Sequence, residues 1–140
     1  MKKLLFICAC FAISFSVLAQ KKFNDMIGRW DIAGEQNAGA SLEIIDSSTM
    51  ILNYMGETRR ISNIKMDFSK TPAWIDFTTR DSSNALQNIK GLVEIGDNVM
   101  KWELFVDEER TTYFTSRKGE LLYLKRSSAT TGTARSHLPQ

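Results

Sequence analysis

The sequence from Gln87 to Leu104 reads QNIKGLVEIGDNVMKWEL and contains two β-strand patterns separated by a turn. In the second pattern Met100, Trp102 and Leu104 alternate with charged residues, as in a strand with one buried face. The intervening residues 96–98, Gly-Asp-Asn, have the composition of a hairpin turn. The stretch therefore predicts an antiparallel hairpin with an apolar face on each strand.

The same period-two pattern recurs over residues 23–126, and only residues 23–27 indicate a helical turn. A change of phase at Ser62-Asn63 indicates a β-bulge. Short turns join nearly all of these strands, so that consecutive strands are antiparallel neighbours. About nine strands with no helices to cover them must close into a barrel or form a sandwich. The predicted strands lie within residues 29–32, 41–44, 49–55, 57–68, 73–80, 87–95, 100–104, 110–117 and 122–125.

The N-terminal residues 1–19 have the pattern of a secretory signal peptide. Lys2 and Lys3 precede an apolar run over residues 4–18, and Ala19 ends it. A 15-residue helix rises ~22 Å, less than the ~30 Å hydrocarbon core, so we expect cleavage before Gln20 and no membrane span afterwards. A lipoprotein signal with Cys10 as the lipidated residue leaves an apolar core shorter than the usual ~7 residues, so we do not expect this anchor. The sequence thus predicts export to the periplasm or the extracellular space.

Charge and rare residues exclude several classes of function. The chain has 140 residues and a net charge of +2, too small to suggest nucleic-acid binding. Both cysteines, Cys8 and Cys10, lie in the signal segment, and the single histidine, His137, lies in a Ser/Thr-rich stretch over residues 127–140 that we expect to be a disordered tail. The expected domain, residues 20–126, therefore has no thiol or imidazole, and it has no Gly-rich phosphate loop. We expect no enzymatic activity, no cofactor and no metal site.

Gly28-Arg29-Trp30 follows the predicted helical turn and resembles the G-x-W signature of lipocalins and the wider calycin superfamily. The residues Trp74-Ile75-Asp76-Phe77 and the segment 89–98 also resemble small secreted bacterial lipocalin-like domains. The resemblance implies an all-β fold, an antiparallel up-and-down barrel of eight to nine strands after a short helical turn. It also implies that Arg126 packs across Trp30, which makes Gly28, Trp30 and Arg126 a structural signature. The T-D-Y motif of vertebrate lipocalins is absent, so their ligands and receptors are not implied.

The first functional hypothesis is that the barrel binds a small apolar or amphipathic molecule. An eight-stranded barrel is wide enough either to be filled by side chains or to hold one small molecule, and both alternatives stay open. The expected lining of a pocket is Leu52, Tyr54, Phe77, Trp102 and Phe114, with Tyr54 and Thr112 supplying polar contacts. A cavity above ~300 Å³ that opens away from Trp30 favours this hypothesis.

The alternative hypothesis is a non-catalytic barrel with a filled core that serves as a protein–protein interaction or self-association module. Trp74, Phe105 and Tyr113 belong to the outward phase of their predicted strands. A contiguous apolar patch rimmed by charge is typical of a contact surface. If these three side chains form one exposed face, we expect a homodimer or a protein partner.

Overall fold

The computed structural model describes Gln20, residues 22–34 and residues 39–128. The predicted signal peptide and the predicted tail beyond Ser128 lie outside the described residues. A short helix over residues 22–26 precedes the first strand. None of the helices within the described ranges combines the length and the hydropathy needed to cross a membrane.

Eight strands form one closed barrel in which each strand pairs antiparallel with its neighbours in sequence, and the last strand pairs with the first. The prediction of an all-β, up-and-down antiparallel barrel with a short N-terminal helix is confirmed. The strands are β1 (Gly28–Ile32), β2 (Ser41–Asp46), β3 (Thr49–Tyr54), β4 (Glu57–Asp67), β5 (Ala73–Arg80), β6 (Leu86–Ile95), β7 (Val99–Val106) and β8 (Glu120–Arg126).

The prediction of a strand over residues 110–117 is wrong. Residues 107–119 form an irregular loop between β7 and β8, which we call the strap. Its polar groups bind side chains on the outer wall of the barrel instead of a strand ladder; for example, Thr115 N donates to the Glu103 carboxylate. A local alternation of apolar and polar residues cannot reveal such long-range contacts.

Alternate residues of the strands point into the barrel and form its core, as the period-two pattern predicts. The bulge predicted at Ser62-Asn63 is present as a register shift between Ser62 and Lys65, and Asn63 has φ of 52°. The extra residue lets both Ile61 and Ile64 pack in the core. Buried residues predicted to face inward include Trp30, Leu42, Ile44, Met50, Ile75, Phe77, Ile89, Val93, Met100, Trp102 and Leu124.

Three strand ends share an Asp-X-Ser turn. At Asp46, Asp67 and Asp81 one carboxylate oxygen accepts hydrogen bonds from the N–H and the hydroxyl of the serine two residues later. These serine bonds hold the pKa of each aspartate below its ordinary value. The turns stop β2, β4 and β5 and redirect the chain into the next strand.

Candidate binding cavity

One end of the barrel is closed around Trp30. The Trp30 side chain is fully buried, and its Nε1–H donates to the Met26 carbonyl of the N-terminal helix at 2.8 Å. The Arg126 guanidinium lies 4.2 Å from the centre of the Trp30 ring, and it donates to the carbonyls of Ile27 at 3.0 Å and Asp25 at 2.7 Å. The contact expected between Arg126 and Trp30 is therefore present, and it ties β8 to the helix.

Gly28 allows Arg126 to approach this closely. Its φ is 128°, in the region that favours glycine, and a Cβ at this position would lie 3.0 Å from Arg126 Nη1. All three residues of the sequence signature thus meet at the closed end.

The interior contains a cavity of about 210 Å³ toward the opposite end of the barrel. Its walls are mainly apolar and include Leu52, Ile89 and Leu122. It opens away from Trp30, where the lining residues Val106 and Glu120 are exposed to solvent. The volume is smaller than the ~300 Å³ expected of a typical ligand pocket, but an apolar cavity of ~150 Å³ is enough to hold benzene. The interior is therefore not filled, and the cavity is large enough for one substituted aromatic ring.

Four of the six predicted lining residues, Leu52, Tyr54, Phe77 and Trp102, line this cavity. The expected placement of Thr112 and Phe114 is wrong, because both belong to the strap outside the barrel. The Phe114 ring packs edge-on against Tyr113, and the Lys101 ammonium lies 4.3 Å from its centre.

Apart from Tyr54, the polar residues of the lining were not predicted from the sequence; they are Arg59, Thr79, Gln87 and Glu120. Each of these residues continues the inward phase of its strand at the open end. Thr79 and Gln87 are direct partners across β5 and β6. Alternation from Phe77 and Ile89 places Thr79 and Gln87 inward, so the strand period is the sequence signal that identifies these two polar lining residues.

At the mouth, Arg59 is held by its neighbours. Its guanidinium donates to the Glu57 carboxylate at 2.8 Å and to the Arg80 carbonyl at 2.9 Å. Glu57 is largely exposed, so this ion pair contributes little to stability. The pairing nevertheless fixes a cation at the polar rim of the cavity.

Two buried polar atoms of cavity-lining residues, Trp102 Nε1 and Thr79 Oγ1, have no hydrogen-bond partner within the described part of the chain. A buried donor or acceptor left unsatisfied costs about 1 to 3 kcal/mol. The third such atom, Ser127 Oγ, follows β8 at the closed end and does not belong to the cavity. The Trp102 ring lies against Phe77, with ring centres 6.4 Å apart.

The strap covers part of the outer wall next to the mouth. Glu103 points outward from β7 yet is fully buried. Its carboxylate accepts hydrogen bonds from the Thr115 N–H and hydroxyl, both at 2.7 Å, from Ser116 N at 3.0 Å and from Gly119 N at 3.3 Å. Burial raises the pKa of Glu103, but these hydrogen bonds outweigh it and hold the pKa below its ordinary value. Glu103 thus anchors the strap.

Arg110 forms the second anchor. Its guanidinium makes a bidentate ion pair with Asp76, at 2.6 and 3.0 Å, and lies 4.0 Å from the centre of the Trp74 ring. Phe105 is only 1% exposed, and Gly119 of the strap packs against its ring. Trp74, Phe105 and Tyr113 therefore do not form the single exposed face that the interaction hypothesis predicted; Tyr113 alone, 60% exposed, faces solvent freely. The strap itself packs on Trp74 through Arg110 and on Phe105 through Gly119.

Comparison of the chain with protein-family models, with curated proteins and with solved structures gives no match. The closed eight-stranded antiparallel barrel is consistent with the calycin-like fold that the G-x-W resemblance implies. Within the described ranges, no group of three or more His, Cys, Asp or Glu side chains converges in a way that could hold a metal ion. The geometry of the cavity is therefore the basis for assigning a function.

Proposed function

We propose that this protein is an exported, non-catalytic, lipocalin-like carrier that binds one small apolar or amphipathic molecule inside its barrel. The observation that supports this function is the cavity of about 210 Å³, with an apolar wall and a polar rim, at the end opposite Trp30. Concave apolar sites with a few convergent polar groups are typical of small-molecule binding. The interaction module has less support, because the interior is not filled and Phe105 is buried.

The binding hypothesis is tested by filling the cavity from one side of β3. Leu52 lines the cavity, whereas its neighbour Ile51 belongs to the outward phase of the same strand. Leu52→Phe adds volume inside the barrel, and Ile51→Phe adds the same ring outside. The probe is α-methylstyrene, a single substituted ring, titrated by isothermal calorimetry.

We expect saturable one-to-one binding to the unmodified protein, a loss of roughly tenfold or more in affinity for Leu52→Phe, and little change for Ile51→Phe. Equal effects of the two variants, or no binding to the unmodified protein, would contradict a site inside the barrel. Native mass spectrometry of the protein purified from its own cells provides a second readout. A co-purifying small molecule supports the carrier, and a ligand-free dimer supports self-association.

Export is proposed from the sequence of residues 1–19. The test is the N-terminus of the protein recovered from separated cell fractions. We expect a mature chain beginning at Gln20 in the periplasm or the medium. A chain that retains residues 1–19 in the cytoplasm would contradict this part of the proposal.

A further inference from the structure

We propose that the bound molecule is a small amphipathic carboxylate, whose apolar body lies in the cavity and whose carboxylate pairs with Arg59 at the mouth. This inference rests on the proposed carrier function and names the chemical class of its ligand. The juxtaposition behind it is an accessible arginine that lines both the apolar cavity and a charged groove at the rim.

Arg59 lies where two hollows meet. It lines the cavity of about 210 Å³ inside the barrel, and it also lines a groove of about 600 Å³ formed by β4, β5 and the loop that follows β5. On β4 it has the same phase as Ile61, which is buried in the core, so its side chain starts on the inner side of the wall. The Arg59 side chain is 27% exposed, so a ligand at the mouth has access to it.

The Arg59 guanidinium keeps donors for a ligand. It has five N–H groups. Nε and Nη2 donate to the same Glu57 oxygen, at 3.3 and 2.8 Å, and Nη1 donates to the Arg80 carbonyl at 2.9 Å. One N–H on each of Nη1 and Nη2 is therefore left without a partner among the described residues. Two donors on one guanidinium suit the two oxygens of a carboxylate, and the resulting hydrogen bonds are charge-assisted.

The charge of the groove favours an anion. Among the described residues, three arginines line it, Arg59, Arg60 and Arg80, against two acids, Glu57 and Asp81. One oxygen of Asp81 already accepts three hydrogen bonds from its own loop. Glu57 is the acid that pairs with Arg59, and its side chain is 63% exposed, so a ligand carboxylate can take its place with little loss of stability. An excess of positive charge beside the mouth attracts an anionic head group.

The opposite side of the mouth sets the orientation of the ligand. Among the described residues that line the cavity, Glu120 of β8 is the only acid. In a closed barrel of eight consecutive strands, β8 lies across from β4, which carries Arg59. Glu120 therefore repels a carboxylate toward Arg59, whereas it would attract an ammonium group to itself. The sign of the ligand's charge is thus the quantity that an experiment must decide.

The experiment uses three probes with one phenyl ring on a short chain and different head groups: hydrocinnamate, its primary amide and phenylpropylamine. Isothermal calorimetry measures the affinity of each probe for the unmodified protein and for Arg59→Gln. The control is Arg60→Gln, which removes the same charge from the next residue of β4, an exposed residue of the outward phase. The ratio of the hydrocinnamate affinity to the amide affinity isolates the contribution of the carboxylate within each protein.

We expect the unmodified protein to prefer hydrocinnamate to both other probes. Arg59→Gln should lower the ratio by roughly three- to tenfold, the effect of a charge-assisted contact that is partly exposed, and Arg60→Gln should lower it less than about twofold. A preference for the amine, an unchanged ratio in Arg59→Gln, or equal losses in the two variants would overturn the inference and leave the carrier function intact. Binding of α-methylstyrene without binding of hydrocinnamate would also overturn it. Failure of all these probes to bind would count against the carrier function itself.

A second variant tests the pairing without changing Arg59. Glu57→Gln removes the acid that competes with the ligand for the guanidinium. We expect it to raise the affinity for hydrocinnamate by roughly two- to fivefold and to leave the affinity for the amide nearly unchanged. The absence of a gain specific to hydrocinnamate would overturn the pairing with Arg59, even if Arg59→Gln fails to fold.

Discussion

Trp30 and Trp102 are both buried inside the barrel, and they differ in what their indole N–H groups contact. Trp30 is sealed at the closed end, where its Nε1 donates to Met26 and Arg126 covers its ring. Trp102 is almost as deeply buried, yet its Nε1 has no partner within the described residues. The indole N–H of Trp30 is hydrogen-bonded at the closed end, whereas the indole N–H of the cavity-lining Trp102 has no partner among the described residues.

The two tryptophans therefore differ in what they contribute to the stability of the fold. A residue kept only for packing at the position of Trp102 would be better as phenylalanine, because a buried donor without a partner is destabilising. Local features that cost stability concentrate at functional sites in natural proteins. The contacts at the closed end therefore stabilise the barrel, whereas the unsatisfied groups of Thr79 and Trp102 reduce its stability.

The largest expected effect is at the closed end. Trp30→Ala removes a fully buried aromatic ring and leaves Arg126 without the surface on which it lies. We expect the free energy of unfolding to fall by about 3 to 5 kcal/mol. Urea denaturation followed by circular dichroism measures this change. Full stability in the variant would refute the role of Trp30 at the closed end.

The next effect concerns the strap, which flanks the open end. Glu103→Gln replaces one carboxylate oxygen with an N–H₂ group, which faces either Thr115 N, now bound to Oε2, or the N–H groups of Ser116 and Gly119, now bound to Oε1. We expect a loss of about 2 to 3 kcal/mol at neutral pH, because donors then face donors in a buried site. Leu121→Val, a change of one methylene on a partly buried residue, is the packing control.

Glu103 also has a definite pH signature. Its pKa in the folded protein is below the ordinary value of 4.5, so its stabilising effect is fully present above that value and is lost as the pH falls through the folded pKa. The difference in stability between the unmodified protein and Glu103→Gln should therefore shrink below about pH 4.5. Urea midpoints between neutral and acidic pH measure it. A difference that stays constant with pH would show that the charge of Glu103 does not anchor the strap.

A smaller effect is expected for Arg126→Lys. Lysine keeps the positive charge near Trp30 but loses the planar fork that reaches the carbonyls of both Ile27 and Asp25. These bonds are partly exposed, so we expect a loss of about 1 to 2 kcal/mol. Thermal unfolding is the measurement, with Lys125→Arg on the same strand as the control. A stability equal to that of the unmodified protein would mean that charge alone holds the end closed.

The closed end could be predicted from sequence, and the open end only in part. Alternation placed Trp30, Phe77 and Trp102 inward, and the resemblance paired Arg126 with Trp30, because these features depend on strand period and on one motif. The lack of a partner at Trp102 Nε1 could not be read from the sequence, since it depends on the positions of all neighbouring side chains. Phe114 and Thr112 were misplaced for the same reason. Their loop is held by the bond of Thr115 to Glu103, 12 positions away, and by the ion pair of Arg110 with Asp76, 34 positions away, and such contacts leave no local pattern.

The smallest effect is the most direct test of the contrast between the two ends. Thr79→Val removes a buried hydroxyl that has no partner, whereas Thr78→Val removes a hydroxyl that bonds Ser62 and Asn63. We expect Thr78→Val to destabilise the ligand-free protein by about 0.5 to 1 kcal/mol, and Thr79→Val to be neutral or stabilising by a similar amount. Paired urea titrations of the two variants measure the difference. If Thr79→Val is the more destabilising, then Thr79 is satisfied in solution and the open half of the barrel is as complete as the closed end.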